Sequence, residues 1–168
     1  AMFSSPVKLI SRSGENTGTL GGQDITQSVA IETANIASGG TTTLFGAMTR
    51  NTRQVRGTSN NIRGLFFGGY GQNSPYAGEN VIDFITIASN GNAQDFGDLS
   101  VVRAQSSCIA HSTRAVAAGG AGDPVGTVNT IEFVTIATAG NAQEFGDLFK
   151  PTSASSGCSD SGGGLGGF

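Results

Sequence analysis

The sequence predicts an all-β fold of three repeated units, each a four-stranded antiparallel sheet, and three observations carry that expectation. Glycine contributes 27 of 168 residues, and a glycine inside a helix costs about 1 kcal/mol relative to alanine, so helices are disfavoured along most of the chain. Charged residues make up only 12 %, about half of the ~25 % usual in a soluble domain, which argues against a disordered chain and against long surface helices. The third observation is an internal repeat, whose presence decides the architecture before any single element is assigned. The apolar share of 37 % still suffices for a core, and a chain of this length forms one domain or a stack of small units.

Asn80 to Leu99 reads NVIDFITIASNGNAQDFGDL, and Asn129 to Leu148, 49 residues later, reads NTIEFVTIATAGNAQEFGDL. A weaker copy, Val29 to Met48, precedes them by 51 residues: Ile31, Glu32, Ile36, Gly40, Phe45, Gly46 and Met48 match Ile82, Asp83, Ile87, Gly91, Phe96, Gly97 and Leu99. The same offset carries Arg63 and Gly68-Gly69 onto Arg114 and Gly119-Gly120. These matches divide the chain into a leader, 1–28, and a single repeat domain, 29–168, with units 29–79, 80–128 and 129–168. The leader, with Pro6-Val7-Lys8-Leu9-Ile10, is expected to be an attachment segment that binds another protein or adds a strand to a neighbour.

Within a unit the elements follow from composition. Val81 to Ala88 mixes β-branched and aromatic residues over the length of a strand. Ile82 and Phe84 share one face, Ile85 and Ile87 the other, and Ile131, Phe133, Val134 and Ile136 repeat this. A strand apolar on both faces belongs to a sheet covered on both sides. Asn90-Gly91 is a hairpin turn signal, with Gly140-Asn141 and Gly39-Gly40 in the related places. Phe96 and Leu99, with Phe145 and Leu148, are core anchors on a second strand, and Phe45, Phe96 and Phe145 are expected to be buried equivalently. Ser106 to Ala110 and Arg114 to Ala118 are two further strands around the turn His111-Ser112-Thr113.

Four strands in about 50 residues, a closing double glycine, a bulky aromatic, then Leu and an Arg four residues on, resemble the kelch repeat of β-propellers. In the second unit those residues are Phe96, Leu99, Arg103 and Gly119-Gly120. Phe96 stands where kelch repeats usually have Trp, Pro151 and Thr152 lie near the Arg position of the third unit, and Arg50 and Arg53 stand in the first. A closer resemblance is to kelch-like repeats of the form VIDxITIAxxGNAxDFGDL in structural proteins of tailed bacteriophages, notably those of marine cyanobacteria. It covers Val29 to Phe168. The resemblance implies a propeller-like arrangement or a three-sided prism, and a virion component such as a fibre, spike or capsid decoration.

Several functional classes are disfavoured by the residues themselves. With a net charge of -3 and a pI near 4.9, the chain has no overall basic field for nucleic acid. No stretch approaches the ~18 continuous apolar residues of a membrane span, and residues 1–28 lack the apolar run of a signal peptide. His111 is the sole histidine, and it falls in a Ser- and Thr-rich turn whose counterpart in the third unit has none. The pairs Asp95/Asp98 and Glu144/Asp147 recur with the repeat, whereas a catalytic carboxylate pair is asymmetric. Asx capping of turns around Gly97 and Gly146 explains them. Leu44 and Ala47 take these places in the first unit, which excludes a metal held this way in every unit. Cys108 and Cys158, at nearly equivalent positions, read as buried free thiols, with a disulfide or a metal as the alternatives. Gly119-Gly120 and Gly162-Gly163-Gly164 are not followed by the Lys-Ser/Thr of a phosphate loop and read as points of close backbone approach between sheets. No catalytic, cofactor-binding or metal-binding residue is assigned, and no cofactor is expected.

Charge is unevenly spread. The first unit carries Arg50, Arg53, Arg56 and Arg63 against Glu32 and Glu79, whereas the third carries Lys150 against Glu132, Glu144, Asp147 and Asp160. A solvated Arg-rich loop is one reading; the other is that the basic unit of one subunit meets an acidic unit of the next. Three units are too few to close a propeller of 4 to 8 blades, so a homo-oligomer is expected, a trimer by the resemblance to phage fibres. The expected function is therefore a non-enzymatic virion structural protein forming a rigid oligomeric knob. The alternative is a receptor- or glycan-binding module of a phage adhesin, with a host surface glycan as partner. Arg50, Arg53, Arg56, Tyr70 and Tyr76 are the candidate partner contacts.

Overall fold

Alternating β-branched, aromatic and small residues set the strands of this protein, and a computed structural model describes residues 2–4, 8–12, 19–20, 23–24, 29–71 and 77–159. The described residues contain strands and turns and no helix. The first sheet is built from β1 (Met2–Ser4) and β2 (Lys8–Arg12) and, beyond a two-residue ribbon of β3 (Thr19–Leu20) and β4 (Gln23–Asp24), from β5 (Ala30–Asn35) and β6 (Thr43–Ala47). Its order is β1-β2-β5-β6. The second contains β7 (Thr52–Arg53), β8 (Arg56–Ser59), β9 (Arg63–Gly71), β10 (Gly78–Thr86) and β11 (Gln94–Asp98), in the order β11-β10-β9-β7 with β8 also paired to β9. The third takes β12 (Ser107–Ala110), β13 (Arg114–Ala118) and, after a ribbon of β14 (Ala121–Gly122) and β15 (Gly126–Thr127), β16 (Thr130–Thr135) and β17 (Gln143–Asp147), in the order β12-β13-β16-β17. All strand pairings within the three sheets are antiparallel.

The all-β expectation is met, and β13 occupies the expected Arg114–Ala118 span. The sheet boundaries differ from the repeat boundaries, however. The second and third sheets each take their first strands from one unit and their last two from the next, and the first sheet takes its first strands from the leader: β7 to β9 lie before residue 80, whereas β11 and most of β10 lie after it. A sequence unit therefore runs from the outer strands of one sheet into the first strands of the next, so covalent continuity and hydrogen bonding both tie neighbouring sheets. The leader is likewise no appendage in its Lys8–Arg12 part. β2 pairs along its whole length with β5, and Ile10 is completely buried. The strand it was expected to lend to a neighbour completes its own first sheet.

Two apolar clusters hold the sheets together, and the second sheet contributes to both. Phe66 and Ile85 pack with Ile10, Ile31, Phe45 and Met48 of the first sheet. Leu65, Phe67, Ile82 and Phe96 pack with Ala115, Ala117, Val134 and Ile136 of the third. Thus β10 is apolar on both faces because it is covered on both faces, as its residue pattern predicts. Phe145 departs from expectation: Phe45 and Phe96 are each 3 % exposed, but Phe145 is 59 % exposed. Its position in its own sheet is unchanged, since Phe133 and Phe145 meet edge to face at 5.9 Å as Phe84 and Phe96 do at 5.8 Å. What differs is that a following sheet covers Phe45 and Phe96.

Candidate functional site

The recurrent arrangement with chemical content is the contact by which one sheet receives the next. It begins with a backbone irregularity. The pairing of β5 with β6, β10 with β11 and β16 with β17 slips by one residue between Ile31/Glu32, Ile82/Asp83 and Ile131/Glu132. The extra residue of each bulge is the Phe of the partner strand, Phe45, Phe96 or Phe145, and the residue after each slip on the regular strand is an acid. Asp83 accepts from the Thr49 hydroxyl at 2.7 Å and from the Thr49 amide at 3.3 Å, holding the segment that leaves β6. Glu132 accepts from the Ser100 amide at 2.9 Å and so holds the segment that leaves β11. Both carboxylates are buried.

The loop after the same strand makes the second half of the contact. Gly91 and Ala93 donate their amides to Phe45 and Ala47 at 2.9 and 2.8 Å, and Gly140 and Ala142 donate theirs to Phe96 and Asp98 at 2.7 and 2.8 Å. Asn92 and Asn141 return the bond, each Oδ1 accepting from the edge strand, at the amides of Ala47 and Asp98, both at 3.1 Å. Asn90-Gly91 is therefore not a two-residue hairpin turn. β10 ends at Thr86 and β11 begins at Gln94, and the wide loop between them is shaped to dock. Cations close the contact at its far end: Lys8 donates to the Ile87 carbonyl at 3.2 Å, and Arg63 donates to those of Ile136 and Ala137 at 2.8 and 3.0 Å.

Close approach explains one glycine in particular. A Cβ on Gly97 would stand 2.5 Å from the Gly140 carbonyl, whereas at Gly146 it would meet nothing within 4 Å, although φ is +147° and +148° at the two sites. Backbone strain on substitution is thus matched and only the docking differs. Gly97→Ala should destabilise the chain clearly more than Gly146→Ala in urea unfolding; equal losses would show that the loop yields freely.

At the centre lies Arg103, fully buried, donating to Glu132 and to the carbonyls of Gly119 at 3.3 Å and Thr130 at 3.0 Å. Burial lowers its pKa, and the Glu132 carboxylate opposes that shift. Burial likewise raises the Asp83 carboxyl above its ordinary range against the Thr49 donors. A raised native pKa means that the folded chain binds the proton more tightly than the unfolded one. This contribution to stability is fully present below the unfolded-chain value and lost as pH rises through the native value. Asp83→Asn should accordingly flatten the acid-side slope of stability against pH; urea melts with the same slope as the parent chain would exclude a role for this carboxyl.

The residues singled out in the sequence fall into place around this contact. Asp95 accepts from the Gly97 amide at 3.1 Å, the local bond expected of it, but it braces a bulge within β11 where a turn was expected. His111 is exposed, with Nδ1 3.1 Å from the Ser112 hydroxyl. Gly69 and Gly120 donate to the carbonyls of Arg103 and Thr152 at 2.9 and 2.8 Å, the backbone approach expected of the double glycines. Both cysteines are free. Cys108 is half-buried and its thiol is pushed up to about 12 by burial, but Cys158 is exposed rather than buried, in a segment that runs along the outer side of β12.

Of the first unit's arginines only Arg50 is exposed in a bend, so they form no common solvated loop. Arg53 and Arg56 are half-buried in β7 and β8, and Arg50 pairs with Glu79 at 3.2 Å. Tyr70 is half-buried in β9, opposite Arg53, and Tyr76 lies outside the described residues. Arg53 and Arg56 lie along the same edge of β9, opposite Tyr70 and Phe67, while Arg50 pairs with Glu79 of β10 on the other side of β9. Sequence reading missed the roles of Asp83, Asn92, Glu132 and Asn141. Their signal was present in the register of the repeats, where an acid recurs at Glu32, Asp83 and Glu132 and an Asn at Asn92 and Asn141. No protein-family model matches the chain, and no curated protein matches it either.

Proposed function

We propose that this chain is a non-enzymatic structural protein of a tailed-phage particle, a fibre, spike or capsid decoration, whose kelch-like repeats stack in a propeller-like arc. It works as a rigid knob assembled as a homo-oligomer, a trimer on the resemblance to phage fibres. The observation that carries this reading is that the same docking contact is built twice. Its chemically capable side chains are engaged with other groups of the protein: Asp83 binds the Thr49 hydroxyl and amide, Glu132 binds the Ser100 amide and Arg103, and Asn92 and Asn141 bind edge strands. Carboxylates buried in this way give shape and stiffness, whereas a hydrolytic pair requires access to substrate and to water.

Quantitative mass spectrometry of purified particles of a phage that encodes this sequence tests the proposal. The chain should be present at a fixed copy number per particle and remain through density-gradient purification. Its absence from the particles, or turnover in a broad hydrolase screen that is lost in Asp98→Asn or Asp147→Asn, would overturn the reading.

A further inference from the structure

Among the described residues, the docking contact has two ends that no sheet occupies. On β17, Phe145 is exposed and the space over Gly146 is open. The register of β17 on β16 (Thr130 opposite Asp147, Ile131 opposite Gly146) repeats that of β11 on β10 (Val81 opposite Asp98, Ile82 opposite Gly97). The Phe145 and Asp147 carbonyls therefore stand where those of Phe96 and Asp98 accept the amides of Gly140 and Ala142. On the first sheet, Ile36 is 52 % exposed, although its counterparts Ile87 and Ile136 are 3 % and 1 % exposed. The loop Gly39 to Thr42, at the place of the two docking loops, is exposed.

We infer that the β17 face binds the first sheet of a second copy of this chain, head to tail, reproducing the contact that the chain makes twice within itself. The inference rests on the proposed oligomeric reading and names its surface. Ile36 of the incoming copy packs on Phe145, and its Gly40 and Thr42 amides reach the Phe145 and Asp147 carbonyls, so the open edge is satisfied as an added segment satisfies a sheet edge. Arg114 is already in position. Its guanidinium lies 4.5 Å from the Phe133 ring centre, as that of Arg63 lies 4.8 Å from Phe84. Arg63 uses that posture to bind the carbonyls of Ile136 and Ala137, and Arg114 meets those of Ile36 and Ala37 in the second copy. A cleft of about 470 Å³ between Ile109, Arg114, Val116 and Phe145 gives this face depth. Thr41 replaces Asn92 and Asn141, so the contact between copies has a shorter hydroxyl where the internal ones have a carboxamide acceptor. A head-to-tail contact closes into a ring or continues as a filament.

Light scattering on the purified chain at rising concentration tests the inference. The mass should exceed 16.9 kDa by whole multiples, and Thr41→Asn should shift association to lower concentration. Ile36→Asp and Phe145→Asp alter side chains exposed in the lone chain, so each should fold as the parent does in thermal unfolding and yet run as a monomer. Mixed together they should form a dimer of one copy each and nothing larger, because one retains its β17 face and the other its first-sheet face. A parent chain that stays at 16.9 kDa throughout, variants that still associate, or a mixture that stays monomeric would each overturn it. None of these results depends on whether the chain is found in particles, so this inference and the virion reading fail separately.

Discussion

Arg103→Leu is expected to destabilise the folded chain by about 3 to 5 kcal/mol, the range for removing one partner of a buried ion pair. The guanidinium is fully buried, and its loss strands the Glu132 carboxylate and the carbonyls of Gly119 and Thr130. A buried charge without its partner keeps the full desolvation penalty and loses the attraction that offset it. Adding Glu132→Leu should recover part of the loss, since two apolar side chains replace two charges, but not all of it, because Ser100 then loses its acceptor. Urea unfolding of the two single variants and the double variant measures the coupling directly. A loss under about 1 kcal/mol for Arg103→Leu, the size of an ordinary surface change, would show that the pair is not a structural centre.

Phe96→Ala and Phe145→Ala are expected to differ by several-fold although the two side chains occupy the same place in the repeat. Phe96 packs in the cluster between the second and third sheets, so its truncation should cost about 3 to 5 kcal/mol through lost burial and a residual cavity. Phe145 keeps its edge-to-face partner Phe133 but is largely solvated, so truncating it in the dilute, monomeric chain should cost less than about 1 kcal/mol. Denaturant melts of both variants at low protein concentration check the contrast. A large loss at Phe145 under those conditions would mean that the third sheet is covered by a part of the same chain.

Much of the fold was legible because it depends on local residue chemistry repeated in register. Glycine abundance excluded helices, and the two apolar faces of Val81 to Ala88 called for a sheet covered on both sides, which the second sheet is. The span of β13 and the turn at His111 follow from the same pattern. Of the docking contact, the double glycines and Asp95 were readable, since positive φ and short-range capping are local demands. Asp83 and Glu132 were not: a charged strand residue reads as solvated, and only the packing of one sheet on another shows that they share the covered faces of Ile85 and Val134.

The sequence by itself determined that the chain is all-β and roughly where the strands of the second unit lie, because strand propensity, alternation and turn residues act over a few positions. Tertiary structure alone decided where each sheet begins, since pairing joins the end of one sequence unit to the start of the next. It also decided which equivalent residues are buried. Phe45, Phe96 and Phe145 share motif and local geometry, but burial is set by what packs on the far side, and within the described chain only the first two have a following sheet to cover them.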